Sequence, residues 1–260
     1  MPDLVLSERD GPVLTLTLNR PEKRNPLSLE LMRTLRDRLL EAAGEEVAVV
    51  ILAGAGPAFS AGHDLTELRG GDPAFYEEVF AACADLMRTV HELPLPVIAR
   101  VHGMASAAGC QLVAACDLAV ASTEARFATP GVRIGLFCTT PMVEVVRAVG
   151  GRRALRMLLT GDPIDAATAL SWGLVTDMVP ADALVEATDA LARTVASASP
   201  AVVALGKRAF FEGLGLPLDE AYERASATMC ANALMDDAQE GIGAFLEKRA
   251  PVWVGSRAAR

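Results

Sequence analysis

The chain has 260 residues, 52% of them hydrophobic and 22% charged, with a formal net charge of −9. The hydrophobic content excludes a disordered chain, and the acidic balance argues against a protein built to bind nucleic acid. Only three of the 24 cationic residues are lysines (Lys23, Lys207 and Lys248), and small residues are plentiful, which points to tight turns, close helix packing or a ligand gripped by main chain.

In chain order, residues 13–18 alternate apolar side chains with Thr15 and Thr17, which predicts a half-buried strand ended by Asn19, Arg20 and Pro21. Pro26, Leu27 and Ser28 then open a helix with apolar residues at 29, 32, 35, 39 and 40. Residues 47–52 are wholly apolar, as in a strand of a buried parallel sheet, and a glycine-rich turn follows over 53–57. A helix is expected over 75–91, closed by Pro94 and Pro96, and a second buried strand over 97–101. That strand runs into small residues at 103–109, then a helix over 110–115 and a strand over 117–121. Helix, turn and strand units continue to about residue 179. After Pro180 the patterns are helical only, over 184–196, 201–211, 218–234 and 239–248. The expected organisation is a core of βα units over 1–200 and a helical region over 201–260.

The five cysteines (83, 110, 116, 138 and 230) are odd in number, irregularly spaced and contain no C-x-x-C, so buried thiols in a reducing cytoplasm are expected. The N-terminus shows no basic-then-apolar leader. The longest uncharged stretch, from 101 to 115 or 116, is shorter than the ~20 apolar residues of a spanning helix. The expectation is therefore a soluble, cytoplasmic protein with no membrane partner.

Common catalytic motifs fail on inspection. Gly54 and Gly56 follow a strand, but Phe59 stands where a dinucleotide fingerprint needs a third glycine. Lys207 lacks the first glycine of a P-loop, no G-x-S-x-G or H-E-x-x-H occurs, and His91-Glu92 reads as a helix end. Two small-residue turns remain, residues 59–65 and 102–112, each leading from strand to helix. The first N–H groups of a helix have no internal partner and carry the positive dipole end. Two such turns side by side can offer one N–H each to a single oxygen, as an oxyanion hole does. The same residues also serve plain structure: small side chains let a helix pack on a sheet, and Asp64 with Glu67 has the spacing of a capping box.

These segments resemble the enoyl-CoA hydratase/isomerase (crotonase) superfamily. Residues 59–64 are similar to its F-x-A-G-x-D signature. Residues 103–117 are similar to its G-x-A-x-G-G-G-x-x-L-A-x-x-C-D segment, with Ala107-Ala108-Gly109 at the usual glycine triplet. Residues 19–25 resemble N-R-P-x-x-x-N, 125–130 A-x-F-x-x-P, 169–175 A-x-x-x-G-L-V and 244–249 A-F-x-E-K-R. Within the superfamily, residues 60–65, 107–114 and 127–138 resemble the branch of enoyl-CoA hydratase domain-containing 3 proteins. That branch is mitochondrial, but no transit peptide is visible.

The resemblance implies an α/β fold of the ClpP/crotonase type: a spiral of ββα-type units with a C-terminal all-helical region that builds a homotrimer or a homohexamer made of two trimers. It implies an acyl-CoA thioester as ligand, with no separate cofactor and no metal, because CoA belongs to the substrate. By position, the backbone N–H groups of His63 and Ala108 would bind the thioester oxygen. Ala61, Gly62, Asp64, Leu65 and Thr66 would lie along the CoA moiety, Lys23 and Arg24 near its nucleotide, and Phe245 and Lys248 would come from a neighbouring subunit. Cys138 and Thr139 occupy places where other members carry acids. The hydratases use two glutamates, and here those places hold Gln111 and Gly131. Gln orients water but cannot take its proton, and Gly does neither. Standard hydration is therefore expected to be severely impaired, leaving isomerisation, thioester hydrolysis, decarboxylation or acyl-CoA binding without catalysis. Glu144, a turn further on, reads as a helix-surface or interface charge, and the His63 imidazole as a group able to titrate near neutrality.

Overall fold

The computed structural model describes residues 3–254. The chain opens with an antiparallel pair, β1 (Val5–Asp10) and β2 (Val13–Leu18), followed by a 3-10 turn at Pro21–Lys23 and helix α1 (Leu29–Ala43). The Ser28 hydroxyl caps α1, accepting from Leu31 N at 3.2 Å, and the helix buries Leu31, Met32, Leu35, Leu39 and Ala42 along one face. Then come β3 (Val49–Gly54), β4 (Ala58–Ser60), the single turn α2 (Leu65–Leu68) and α3 (Pro73–Glu92). Asp72 caps α3 and Pro73 takes its first position, where a missing N–H costs nothing. The pattern repeats as β5 (Val97–Val101), β6 (Met104–Ser106) and α4 (Ala108–Ala115). It repeats again as β7 (Leu118–Ser122), β8 (Arg126–Ala128), α5 (Thr139–Val149) and α6 (Gly151–Thr160). The spiral closes with β9 (Ile164–Asp165), α7 (Ala166–Trp172) and β10 (Asp177–Val179).

Each repeat places its first strand in one sheet and its short second strand in another. The large sheet has the order β1-β2-β3-β5-β7-β10, and the small one β4-β6-β8-β9. From β2 onward the large sheet is parallel. Its inner strands β3, β5 and β7 are mostly apolar because both faces are covered, with Arg100 of β5 paired to Asp189. Val50, Leu52, Val97 and Ala99 face the main core with α1 and α3. Val49, Ile51, Ile98 and Val120 face a second cluster that includes Leu184 and Ala192 of helix α8 (Leu184–Ala196).

Helices α9 (Pro200–Gly213), α10 (Leu218–Ala233) and α11 (Asp236–Glu247) complete the described chain. The expected helical region extends to residue 260, of which 255–260 lie outside the described residues. Within this one chain α10 buries no residue, and Leu218, Tyr222 and Met229 on it are exposed. One strong tether holds α9 to the core. Lys207 Nζ donates to Val90 O, Leu95 O and Asp117 Oδ2 at 2.7, 2.8 and 2.7 Å. Burial outweighs the lysine's charge at Asp117, lifting its carboxyl above the usual range, and burial likewise lowers Lys207.

The structure amends several sequence expectations. β1 has only one buried residue and no alternation to reveal it, so only its pairing defines it as a strand. The helix expected at 110–115 begins at Ala108, and the glycine-rich stretches before it contain the short strands β4 and β6. Glu144 is not a surface charge: it is buried, and its Oε2 lies 3.0 Å from His91 Nε2. All five cysteines are unpaired. Among the described residues no helix is long and apolar enough to cross a membrane.

Candidate functional site

The two small-residue turns meet because β4 and β6 are parallel neighbours. Ala58 pairs with Met104 and Ser60 with Ala105, so both strands end side by side and both chains leave the sheet at the same edge. The turns then interlock at two glycines. A Cβ on Gly62 would lie 2.9 Å from Ala107 Cβ and Ser106 O, and 3.3 Å from Ala108 N. A Cβ on Gly109 would lie 2.6 Å from Ser60 O. Neither position accepts a side chain without moving the opposite turn, so the contact that brings Gly62 beside the start of α4 requires glycine.

The N–H groups of His63 and Ala108 are among those of the two turns that have no acceptor among the described residues. Around His63 the main chain bridges to Leu27: Leu27 N donates to Gly62 O at 2.7 Å and Asp64 N donates to Leu27 O at 3.4 Å. That parallel bridge uses the groups on either side of His63 and passes over its own N–H. Ala108 is the first residue of α4, where no preceding helical carbonyl exists to accept its N–H. Ala107, which sets its direction, donates to Ala128 O at 2.8 Å and adopts φ 48°, ψ −116°. A positive φ at alanine carries strain of about 1–3 kcal/mol, held here by the packing on both sides.

Side chains from the first turn have structural tasks. Asp64 Oδ1 caps α2, accepting from Thr66 N at 3.1 Å and Thr66 Oγ1 at 2.6 Å. Its Oδ2 lies 3.2 Å from the Arg20 guanidinium. Burial opposes the Asp64 charge, but the Thr66 hydrogen bonds and Arg20 together overcome it and hold the carboxyl below the usual range. Glu67 does not complete a capping box on α2; its Oε2 accepts from Leu29 N at 3.0 Å, at the start of α1. The His63 ring stands edge-on to Phe80, with centroids 5.5 Å apart, and both its nitrogens are sealed from solvent, with the Leu27 backbone its nearest polar influence. Burial lowers its pKa, so the ring is neutral at pH 7.

The segment at Arg20–Asn25 lies along the same edge. Ala61 N donates to Arg24 O at 2.9 Å, and Ser60 Oγ donates to Asn25 O at 2.8 Å. Asn25 is fully buried, and its amide donates to Ala55 O, Ala58 O and Phe59 O. Sequence reading quoted Arg20 and Asn25 within a motif without giving either a task; the structure shows that they brace the turn. Lys23 and Arg24 are exposed, and neither side chain has an ion-pair partner among the described residues. Leu65 and Thr66 are exposed beside them.

Gln111 and Gly131, the two positions where the resemblance implies glutamates, differ in kind. Gln111 is 3% exposed, one turn into α4, and its Oε1 accepts from Cys83 Sγ at 3.6 Å. Cys83 was not singled out from sequence, where an isolated cysteine in a helix gives no signal. At Gly131 there is no room: a Cβ would meet Leu136 O at 2.6 Å and Cys138 Sγ at 2.8 Å. Cys138 is buried at the start of α5, while Thr139 is exposed on its first turn. Phe245 and Lys248 are not brought to the turns within one chain. They lie at the end of α11, which packs on α9 and α10, and Phe245 is 82% exposed.

Comparison with known proteins identifies the family and the fold. The family described as Enoyl-CoA hydratase/isomerase matches residues 8–256. The enoyl-CoA hydratase domain-containing protein 3, mitochondrial, of Rattus norvegicus is 46% identical over 254 residues, 97% of this chain and 85% of that protein. The crystal structure of its human counterpart superposes with a TM-score of 0.94 at 45% identity, covering 96% of this chain and 100% of that one. An enoyl-CoA hydratase crystal structure from Mycobacterium smegmatis gives 0.94 and 45%, covering 96% and 99%. The expectation of a cytoplasmic location is corrected by curated relatives 46–48% identical, the domain-containing protein 3 of Rattus norvegicus, Danio rerio and Homo sapiens, each named a mitochondrial protein. A missing leader pattern was weaker evidence than likeness along nearly the whole chain.

Proposed function

Because this chain belongs to the enoyl-CoA hydratase/isomerase family, with the crotonase fold, we propose that it binds an acyl-CoA thioester at the interlocked turns and stabilises negative charge on the thioester oxygen. The backbone N–H groups of His63 and Ala108 are the two donors in this reading. The observation that carries it is the junction itself: a bridge that passes over the His63 N–H, and a helix start whose first N–H has no internal acceptor, held together where only glycine fits. Ala61, Gly62, Asp64, Leu65 and Thr66 flank the CoA arm. Lys23 and Arg24, exposed and unpaired among the described residues, suit its phosphates.

The chemistry in this reading is not hydration by two carboxylates. Gln111 cannot act as a base, and the space at 131 is taken by a carbonyl and a thiol. A reaction that draws chiefly on oxyanion stabilisation, such as isomerisation, thioester hydrolysis or decarboxylation, fits better. We further assign the helices after residue 200 to assembly of a homotrimer or hexamer, in which a second copy covers the exposed faces of α10 and α11 and brings Phe245 and Lys248 to the CoA. The uncovered α10 supports this.

The test is a panel of acyl-CoAs, with crotonyl-CoA among them, measured for binding and turnover. Micromolar binding, turnover of at least one thioester and weak or no crotonyl-CoA hydration are expected. Binding with a clean absence of turnover would reduce the protein to an acyl-CoA binder, and no binding would overturn the site. Unchanged acyl-CoA affinity in Lys248→Glu would remove Lys248 from it.

A further inference from the structure

The orientation of one buried amide follows from its neighbour. Cys83 of α3 is fully buried, and burial pushes its thiol up to about 12, so it keeps its proton at pH 7. A thiol that keeps its proton is a donor, and the acceptor 3.6 Å away is Gln111 Oε1. The opposite rotamer would set the amide N–H groups against sulfur, a weak acceptor, so the S–H···O contact decides which way the amide points. With its oxygen turned to α3, Gln111 presents its two N–H donors on the other side. That nitrogen makes no hydrogen bond among the described residues. It is also not sealed off as the His63 ring nitrogens are, so it reaches accessible space.

No carboxylate bonds the Gln111 amide among the described residues. Position 131 bears no side chain, and the room beyond its Cα is closed by Leu136 O and Cys138 Sγ. Gln111 stands three residues after Ala108 on the same helix, about 4.5 Å along its axis. If Ala108 N–H holds the thioester oxygen, the Gln111 amide stands beside the first carbons of the acyl chain beyond the thioester.

We propose that the Cys83–Gln111 pair gives this part of the acyl pocket an amide donor that selects thioesters carrying an acceptor oxygen at C3, with 3-oxoacyl-CoA preferred over the saturated acyl-CoA of the same length. The proposal rests on the acyl-CoA reading above. Gln111 is the specificity residue, and Cys83 is a positioning residue that acts through it.

The test is calorimetric titration of the assembled protein with CoA, butanoyl-CoA, 3-hydroxybutanoyl-CoA and 3-oxobutanoyl-CoA. A hydrogen bond to a neutral donor predicts that 3-oxobutanoyl-CoA binds about 5–10-fold more tightly than butanoyl-CoA. In Gln111→Leu that ratio should fall toward one. In Cys83→Val, which keeps the shape but loses the donor, the amide is free to turn and the ratio should also fall. Cys83→Ser should restore it. A packing defect alone would weaken all the thioesters together and leave the ratio intact. Equal affinities in the wild-type protein, or a ratio untouched by Gln111→Leu, overturns the proposal while leaving acyl-CoA binding standing. Thioesters that bind no better than CoA would overturn the acyl-pocket reading along with it. If Cys83→Val does not fold, the Gln111→Leu ratio still decides.

Discussion

The assignment of Ala108 N–H as an oxyanion donor can be tested by deleting that one hydrogen. Incorporating the α-hydroxy analogue of alanine at position 108 replaces the amide with an ester, so the N–H is lost and no side chain changes. The structural cost is small and can be located. The N–H has no helical acceptor, so α4 loses no bond through it. The Ala107 carbonyl becomes a weaker ester acceptor for Gln111 N, now at 3.0 Å, which costs at most about 0.5–1.5 kcal/mol. Loss of one oxyanion donor is worth about 3 kcal/mol, or 10²–10³-fold in rate. The ester protein should therefore stay folded while losing two to three orders of magnitude on whichever thioester the panel shows to be turned over. Infrared spectra of a carbonyl-¹³C acyl-CoA give a second readout independent of turnover. The bound carbonyl should absorb at lower frequency than free ligand in the native protein, and that shift should shrink in the ester protein. A folded ester variant with an unchanged rate and an unchanged carbonyl frequency would refute the assignment.

Other perturbations probe the architecture around the site. Ala107→Gly should relieve the strain of φ 48° at the usual entropic cost of glycine, for a net gain near 1 kcal/mol and a melting temperature about 2 °C higher; a lower melting temperature would mean the alanine is unstrained. Gly131→Ala should lose about 1–3 kcal/mol, because its Cβ enters the space of Leu136 O and Cys138 Sγ. For the same reason Gln111→Glu/Gly131→Glu should not become an efficient crotonyl-CoA hydratase, and a rate comparable to that of a two-glutamate family member would contradict the packing. Lys207→Met strands Asp117 without its partner and should cost roughly 3–5 kcal/mol at pH 7. Its deficit should narrow as pH falls, since a carboxyl whose folded pKa is raised is favoured in its protonated form; denaturant melts at pH 7 and pH 5 read this directly. Asp64 has the opposite sign. Its depressed pKa means its stabilisation is complete above about pH 4 and is lost as pH falls further, so wild type and Asp64→Asn should converge only in acid.

Legibility from sequence followed the physics of each feature. Buried parallel strands such as β5 and amphipathic helices such as α1 and α8 leave a periodic or largely apolar trace that marks their bounds nearly to the residue. β4, β6 and β8 have three residues each, too few to carry a period, and the sequence pattern predicts no strand at any of them. Glu144 looked like a surface charge because helical spacing cannot show that His91, 53 positions earlier, packs against it. Cys83 and Gln111 come from different helices and meet only through the α3–α4 contact.

The amino-acid sequence alone determined the family and the succession of βα units, because these depend on local composition and on ordered motifs. Tertiary structure decided how those residues meet. Parallel pairing of β4 with β6 sets the two turns together, and the contacts at Gly62 and Gly109 make their junction closer than any side chain permits. The turn from Gly131 to Cys138 folds back over Gly131, so a position that sequence shows only as lacking a side chain is a filled space. The reason is that local sequence sets backbone preference, whereas the distance between two atoms is fixed by the packing of every element between them.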